Sequence, residues 1–157
     1  MYKLLPINLY SKYLPDICYL LLNYGDWIFS SFENPLSAFL SQLTENKIKV
    51  IGAVNNEELF AFCALYDFKK ISDKYFSCCM YGGAKRKNSL YVNSALSYIF
   101  QDLKSQGCKV IRCETRVTNK PMRVLAHRLN FRKVGIFKNA SFVNGNFTDN
   151  IIYEKIL

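Results

Sequence analysis

The chain has 157 residues and a formal charge of +9, and half of its residues are apolar, with 12 Phe and 11 Tyr supplying bulk for a core. That length suits a single domain over residues 1–157, able to bury about two-thirds of its unfolded surface, and the apolar share excludes a disordered chain. The positive field favours anionic partners: a nucleic acid, an acidic protein, or a cofactor bearing several phosphates.

Tyr2 to Ile7 is expected as a first strand, ended at Pro6 or just after. Ser11 and Pro15 precede Ile17, Leu20, Leu21 and Tyr24, whose spacing predicts a helix stopped by Gly25. The Asp26–Phe29 patch that follows is bulky, with Trp27 as a packing anchor. Pro35 opens a second helix carrying Leu36, Phe39, Leu40 and Leu43 on one side and ending over Thr44–Lys47. Val50–Val54 and Leu59–Phe68 read as strands joined by a hairpin-like turn at Asn55-Asn56-Glu57. A charged turn, Lys69–Lys74, leads to a third strand, Tyr75–Tyr81.

A loop from Gly82 feeds a helix over about Leu90–Gln106, which Asn88 or Ser89 can cap and which turns Val92, Ala95, Leu96, Ile99 and Leu103 inward. Cys108–Val117 is a strand, Thr118–Asn119 a turn, and Pro121, with its fixed φ and missing N–H, suits a first helical turn. Met122, Leu125, Ala126 and Leu129 form one apolar stripe, Asn130 stops the helix, and Phe131 begins an extended run containing Gly135. Asn144-Gly145 is a strong turn dipeptide for a closing hairpin. Strand, Asn turn, short helix and strand within about thirty residues describe a βαβ-like unit of an α/β fold.

The six cysteines stand in no paired-ligand spacing, so neither a zinc site nor a disulfide framework is expected, and no metal is assigned. The apolar Ile17–Leu22 run is too short for a signal peptide core or a membrane span. The expectation is a soluble, cytoplasmic protein with no membrane partner, in which the sequons at Asn139 and Asn146 are chance matches.

Asn119, Lys120, Pro121, Met122, Leu125, Phe131 and Gly135 together resemble the acetyl-CoA-side motif of the GNAT N-acetyltransferase superfamily. The final stretch, with Gly135, Asn139, Val143-Asn144-Gly145-Asn146, Asp149 and Ile152-Tyr153, is similar to the closing segment of the branch that acetylates protein N-termini. The resemblance implies a mixed, twisted sheet of six or seven strands with about four helices, and acetyl-CoA as cofactor. It further implies two parallel strands that splay apart, here Cys78–Tyr81 and Cys113–Val117, with the cofactor's arm along the open edge. Met80, Tyr81, Asn119 and Met122 would line that arm. The pyrophosphate would meet Lys85, Arg86, Lys87, Asn88 and Ser89 in place of the family's glycine-bearing loop, because Gly82-Gly83-Ala84 departs from that spacing. Asn119 is equally a turn or capping residue.

Acetyl transfer to an amine needs a polarised thioester, a deprotonated amine, close approach and a protonated leaving thiol. Glu114 is the candidate base, on a strand whose Cys113 and Thr115 point to the other side; an ion pair with Arg112 or Arg116 is the structural alternative. Tyr81 and Tyr153 are the further polar candidates. The family's frequent thiolate-protonating Tyr is matched by Ala126, and His127, the sole histidine, points about a hundred degrees away around the helix. The acceptor implied is a primary amine of a protein or peptide, attacked directly in a ternary complex, with Trp27–Phe32 and Phe142–Phe147 able to flank its groove. The alternative is a catalytically degenerate GNAT-like module binding a protein or nucleic acid. Scattered Lys and Arg and core-patterned aromatics weigh against a dedicated nucleic-acid module. A homodimer is left open.

Overall fold

The computed structural model describes residues 3–28, 34–85, 89–143 and 145–157, with only the backbone described at 26–28 and 89–91. Its elements in order are β1 (Lys3–Ile7), α1 (Leu14–Ile28), α2 (Pro35–Thr44), β2 (Lys49–Asn55), β3 (Glu58–Lys70), β4 (Phe76–Ala84), α3 (Ser89–Ser105), β5 (Cys108–Arg116), α4 (Lys120–Arg128), β6 (Arg132–Val143) and β7 (Asn146–Ile156). The seven strands form one sheet in the order β1-β2-β3-β4-β5-β7-β6. Every neighbouring pair is antiparallel except β4 with β5. The α/β expectation of six or seven mixed strands and about four helices is met.

Alternation along the strands loads both faces of the sheet. On one side Phe39 and Leu43 of α2 and Ile17, Leu20 and Leu21 of α1 pack on Val50, Val54, Leu59, Phe62 and Ala64. On the other, Leu96, Ile99, Phe100 and Leu103 of α3 and Ala126 of α4 pack on Cys63, Cys78, Met80, Ile111, Cys113, Ile151 and Tyr153. The two-sided burial explains the nearly continuous apolar run in β3.

Local chemistry sets the ends of the helices. Asn34 and Asn119 each accept a hydrogen bond from the backbone three residues on (Ser37 N, 3.0 Å; Met122 N, 3.2 Å), and a proline follows each cap. Asn130, at φ 58°, ends α4 in the left-handed region, and the Phe131 N–H returns to the Ala126 carbonyl at 2.9 Å. Asn56 and Glu57, both at positive φ, make the two-residue turn between β2 and β3.

Two expected boundaries are corrected. Gly25 does not stop α1, which runs on to Ile28. A Cβ at Gly25 would lie 2.8 Å from the Pro35 side chain, so the glycine serves the close approach of α1 to the start of α2. Gly82, Gly83 and Ala84 are not loop but the end of β4, paired with Cys63, Phe62 and Ala61. A Cβ at Gly82 would drive into the Phe62 carbonyl, which is backbone and cannot swing away. Gly82→Ala is therefore expected to cost about 1–3 kcal/mol by overpacking, read as a lower urea midpoint at unchanged slope.

Candidate active site

The parallel pair β4–β5 carries the feature around which the site is built. Its pairing runs Phe76↔Cys108, Ser77↔Val110, Cys78↔Ile111 and Cys79↔Arg112, and then ends. Beyond it, β4 stays paired with β3 out to Ala84 and β5 stays paired with β7 out to Arg116. Each strand is thus held on its outer side while the inner edges diverge. The expected opening between Cys78–Tyr81 and Cys113–Val117 is displaced at one end: Cys78 and Cys79 are still paired, and the open edge of β4 begins at Met80.

Glu114 stands on β5 beside this opening, on the α1–α2 side, while Cys113 and Thr115 are buried on the other face. Its Oε1 accepts a hydrogen bond from Asn150 Nδ2 at 2.6 Å. The alternative ion pair with Arg112 does not form, because Arg112 Nε meets Glu154 Oε2 at 3.0 Å and Arg132 joins the same carboxylate at 3.3 Å. Tyr81 is on the same face as Glu114; its hydroxyl donates to Gln42 Oε1 at 3.3 Å and its ring lies 5.7 Å from that of Tyr66. Burial pushes both phenols above their ordinary range, with Cys79 and Glu114 adding to the effect at Tyr66. Both therefore stay protonated donors at neutral pH.

Tyr153 is placed elsewhere. It lies opposite Cys113, 8% exposed, in the core under α3 and α4, on the face away from Glu114. Glu114 and Tyr81 thus share one face of the sheet, and Tyr153 lies on the other.

Of the residues expected to hold the cofactor, Met80 is buried on the α3–α4 side, Tyr81 is half-buried, and Met122 is half-buried against the same core as Met80. Asn119 is buried as the α4 cap, its side-chain oxygen bonded to Met122 N. Lys85 Nζ is 3.1 Å from Asp16 Oδ1, so binding a phosphate there would compete with that carboxylate. Arg86, Lys87 and Asn88 lie outside the described residues, and Ser89 opens α3. The Trp27–Phe32 patch likewise falls outside the described side chains. At the hairpin, Phe142 and Phe147 are both exposed and stack edge to face at 5.0 Å.

Two thiols near the opening are inert. Burial pushes Cys63 and Cys113 up to about 12, which keeps them neutral and poor nucleophiles at physiological pH. A groove of about 1120 Å³ opens at the far end of the sheet, lined by Leu9, Tyr10, Phe68, Asp102 and Gln106 among others. It is distant from the β4–β5 opening. We place the site at the opening, where an open backbone edge and an oriented carboxylate coincide.

No family model matches the sequence, and no curated protein matches it. Solved structures do match over nearly the whole chain. An N-acetyltransferase from Staphylococcus aureus Mu50 has a TM-score of 0.73 at 16% identity, covering 99% of this chain and 97% of that one. NAA60 from Arabidopsis thaliana, solved with acetyl-CoA, has a TM-score of 0.71 at 17% identity, covering 100% and 99%. The chain has the GNAT N-acetyltransferase fold. A ribosomal-protein alanine N-acetyltransferase from Escherichia coli matches that GNAT fold as well, with a TM-score of 0.74 at 15% identity over 99% and 94% of the two chains. At such identities the likeness is one of fold.

Three residues of this GNAT-fold site escape a reading of the sequence: Tyr66, Ser141 and Asn150. Alternation separates Asn150 and Glu154 from Ile151 and Tyr153, and the structure places the latter pair in the α3–α4 core. Which strand the former pair then meets depends on register. The register includes a bulge, a four-residue step from Phe137 to Ser141 against the two-residue step Asn150 to Thr148. Asp149 holds that bulge, accepting from Asn139 N at 3.0 Å and pairing with Lys138 at 2.8 Å. The Lys138 hydrogen bond and then the Asn139 amide hold the Asp149 carboxyl below its usual value. By linkage, the carboxylate's contribution is present above the unfolded carboxyl value of about 4 and is lost as pH falls through the lowered folded value. The Asn139 amide resonance should accordingly titrate only below about pH 4, followed by nitrogen–proton NMR.

Proposed function

We propose that the chain is an acetyl-CoA-dependent N-acetyltransferase, acting as one domain on a primary amine of a protein or peptide. The observation that carries this is the β4–β5 opening, a parallel pair whose strands part after Cys79 and Arg112 with Glu114 standing beside the gap. The likeness to N-acetyltransferases, one of them solved with acetyl-CoA and one named for a ribosomal-protein alanine, supports both the reaction class and the kind of acceptor.

The residues present fit the cofactor. The parallel pairing of β4 with β5 ends at Cys79 and Arg112, and a strand edge released at that point suits an extended arm bearing amide groups. The N-terminus of α3, beginning at Ser89, offers the partial positive charge that favours a pyrophosphate. Bound acetyl-CoA would supply the acetyl thioester. On the protein's side, Glu114 takes the proton of the acceptor ammonium, and backbone N–H groups of the open β4 edge favour charge building on the thioester oxygen. Tyr81, a protonated phenol on the Glu114 face, would donate the proton that the departing thiolate sulfur needs. The amine enters from the α1–α2 side, the face that Glu114 shares, with the exposed Phe142–Phe147 hairpin as one wall. Neutral Cys63 and Cys113 support direct attack over an acetylated cysteine.

The net charge favours an acidic protein segment over a polyamine. No described helix is long and apolar enough to cross a membrane. The free state of all six cysteines supports a reducing, cytoplasmic setting. Calorimetric titration with acetyl-CoA tests the cofactor assignment. Binding is expected, weakening as salt rises from about 0.05 to about 0.5 M, because cations would meet phosphate charge. No heat and no thermal stabilisation at millimolar cofactor would favour a module that has lost catalysis, a reading to which Ala126 in place of the family's Tyr and the Lys85–Asp16 pair lend weight.

A further inference from the structure

Asn150 is a polar side chain with no exposure at all, placed in a strand where an apolar residue would pack at lower cost. Both ends of its amide are used. Ser141 Oγ donates to Asn150 Oδ1 at 2.9 Å, and Asn150 Nδ2 donates to Glu114 Oε1 at 2.6 Å. We propose that Ser141 and Asn150 are positioning residues for Glu114, a hydrogen-bonded relay that fixes its carboxylate. The inference rests on the assignment of Glu114 as the base.

The direction of the relay is set by what each group can donate. An ionised carboxylate only accepts, so the amide must turn its NH₂ toward Glu114. That leaves the amide oxygen pointing the other way, where the Ser141 hydroxyl locks it against a flip. The lock exists because of the β6 bulge, whose two extra residues place Ser141, itself buried, opposite Thr148 and on the Asn150 face. Asp149, next to Asn150 in the chain, holds the bulge in shape. With Oε1 engaged, proton uptake from an incoming ammonium falls to Oε2.

A hydrogen bond to the charged form of an acid stabilises that form, and burial opposes it. Other titratable and charged groups share this face: Arg112 and Arg116 on its own strand, Glu154 on β7, Tyr66 on β3, and Cys79 and Tyr81 on β4. The overlying α1 adds the half-buried Cys18 and Tyr24. All of these side chains are kept in variants at Asn150 or Ser141. The relay's effect can therefore be isolated by substitution.

The test is an NMR titration of the full chain labelled at its glutamate carboxyl carbons, with the Glu114 signal identified by its loss in Glu114→Gln. In Asn150→Ala the midpoint of Glu114 is expected to rise by about half a pH unit or more, because a donor to the ionised form is gone. In the isosteric Asn150→Asp it should rise further, since a second carboxylate faces the first. Ser141→Ala should move it the same way by less. Midpoints matching wild type in both Asn150 variants would overturn the relay, and Asn150→Asp with Ser141→Ala decides the matter if the alanine variant does not fold. The base assignment is read separately, from acetyl transfer by Glu114→Gln to an acidic peptide. An inactive Glu114→Gln with unmoved midpoints removes the relay alone; a fully active one removes the base assignment whatever the titration gives.

Discussion

Replacing Glu114 by Gln should lower kcat for acetyl transfer by about 10²- to 10⁴-fold, the span typical of a lost general base. Gln keeps the side-chain shape and can still accept the 2.6 Å hydrogen bond from Asn150. The fold and the binding of acetyl-CoA should therefore survive, so that the loss falls on kcat and not on cofactor affinity. The defect should also depend on pH. An α-amine of pKa near about 8 loses its own proton as pH rises, so the gap between variant and wild type narrows above that value. Steady-state rates across pH, with cofactor affinity measured in parallel, check this. A variant with wild-type kcat throughout would remove Glu114 from the chemistry.

The second large effect concerns stability. Phe62, on β3, is 1% exposed and meets Phe39 of α2 edge to face, with ring centroids 6.1 Å apart. It is part of the core through which α1 and α2 cover the face of the sheet that carries Tyr66 and Tyr81. Phe62→Ala removes a large ring from a site walled by β-strand backbone, which can collapse only partly. The expected loss is about 3–5 kcal/mol, against the roughly 5–15 kcal/mol available to a domain of ordinary stability. Urea unfolding should show the midpoint falling steeply. A loss under about 1 kcal/mol would mean that the α2 layer repacks freely around the vacancy.

The elements were legible because their signals are local. Pro35 and Pro121 each follow an Asn cap, the apolar stripe of α4 has helical spacing, and Asn130 adopts the left-handed stop that its position suggests. The resemblance carried by Asn119 to Gly135 pointed to a sheet of six or seven mixed strands, and seven are found. Gly25 and Gly82 misled for one shared reason. A glycine that ends an element and a glycine that lets another element come close are the same letter, and only the neighbour, Pro35 or the Phe62 carbonyl, tells them apart.

Within the site, alternation along β5 was enough to turn Glu114 away from Cys113 and Thr115. Alternation could not say that Tyr153 would face the α3–α4 core, because its face depends on pairing with Cys113 across strands forty residues apart in sequence. Asn150 and Ser141 were hidden more deeply still. Their meeting needs the β6 bulge, whose length no local pattern of Lys138, Asn139 and Ala140 announces.

Acetyl transfer itself is the most direct measurement. The purified protein, incubated with labelled acetyl-CoA and separately with acidic peptides, basic peptides and polyamines, should place label chiefly on the free amine of the acidic peptides. Peptide mass spectrometry locates the added group. Label chiefly on polyamines would overturn the acceptor. No label in any pool, from protein saturated with acetyl-CoA, would contradict the assignment of this chain as an acetyltransferase.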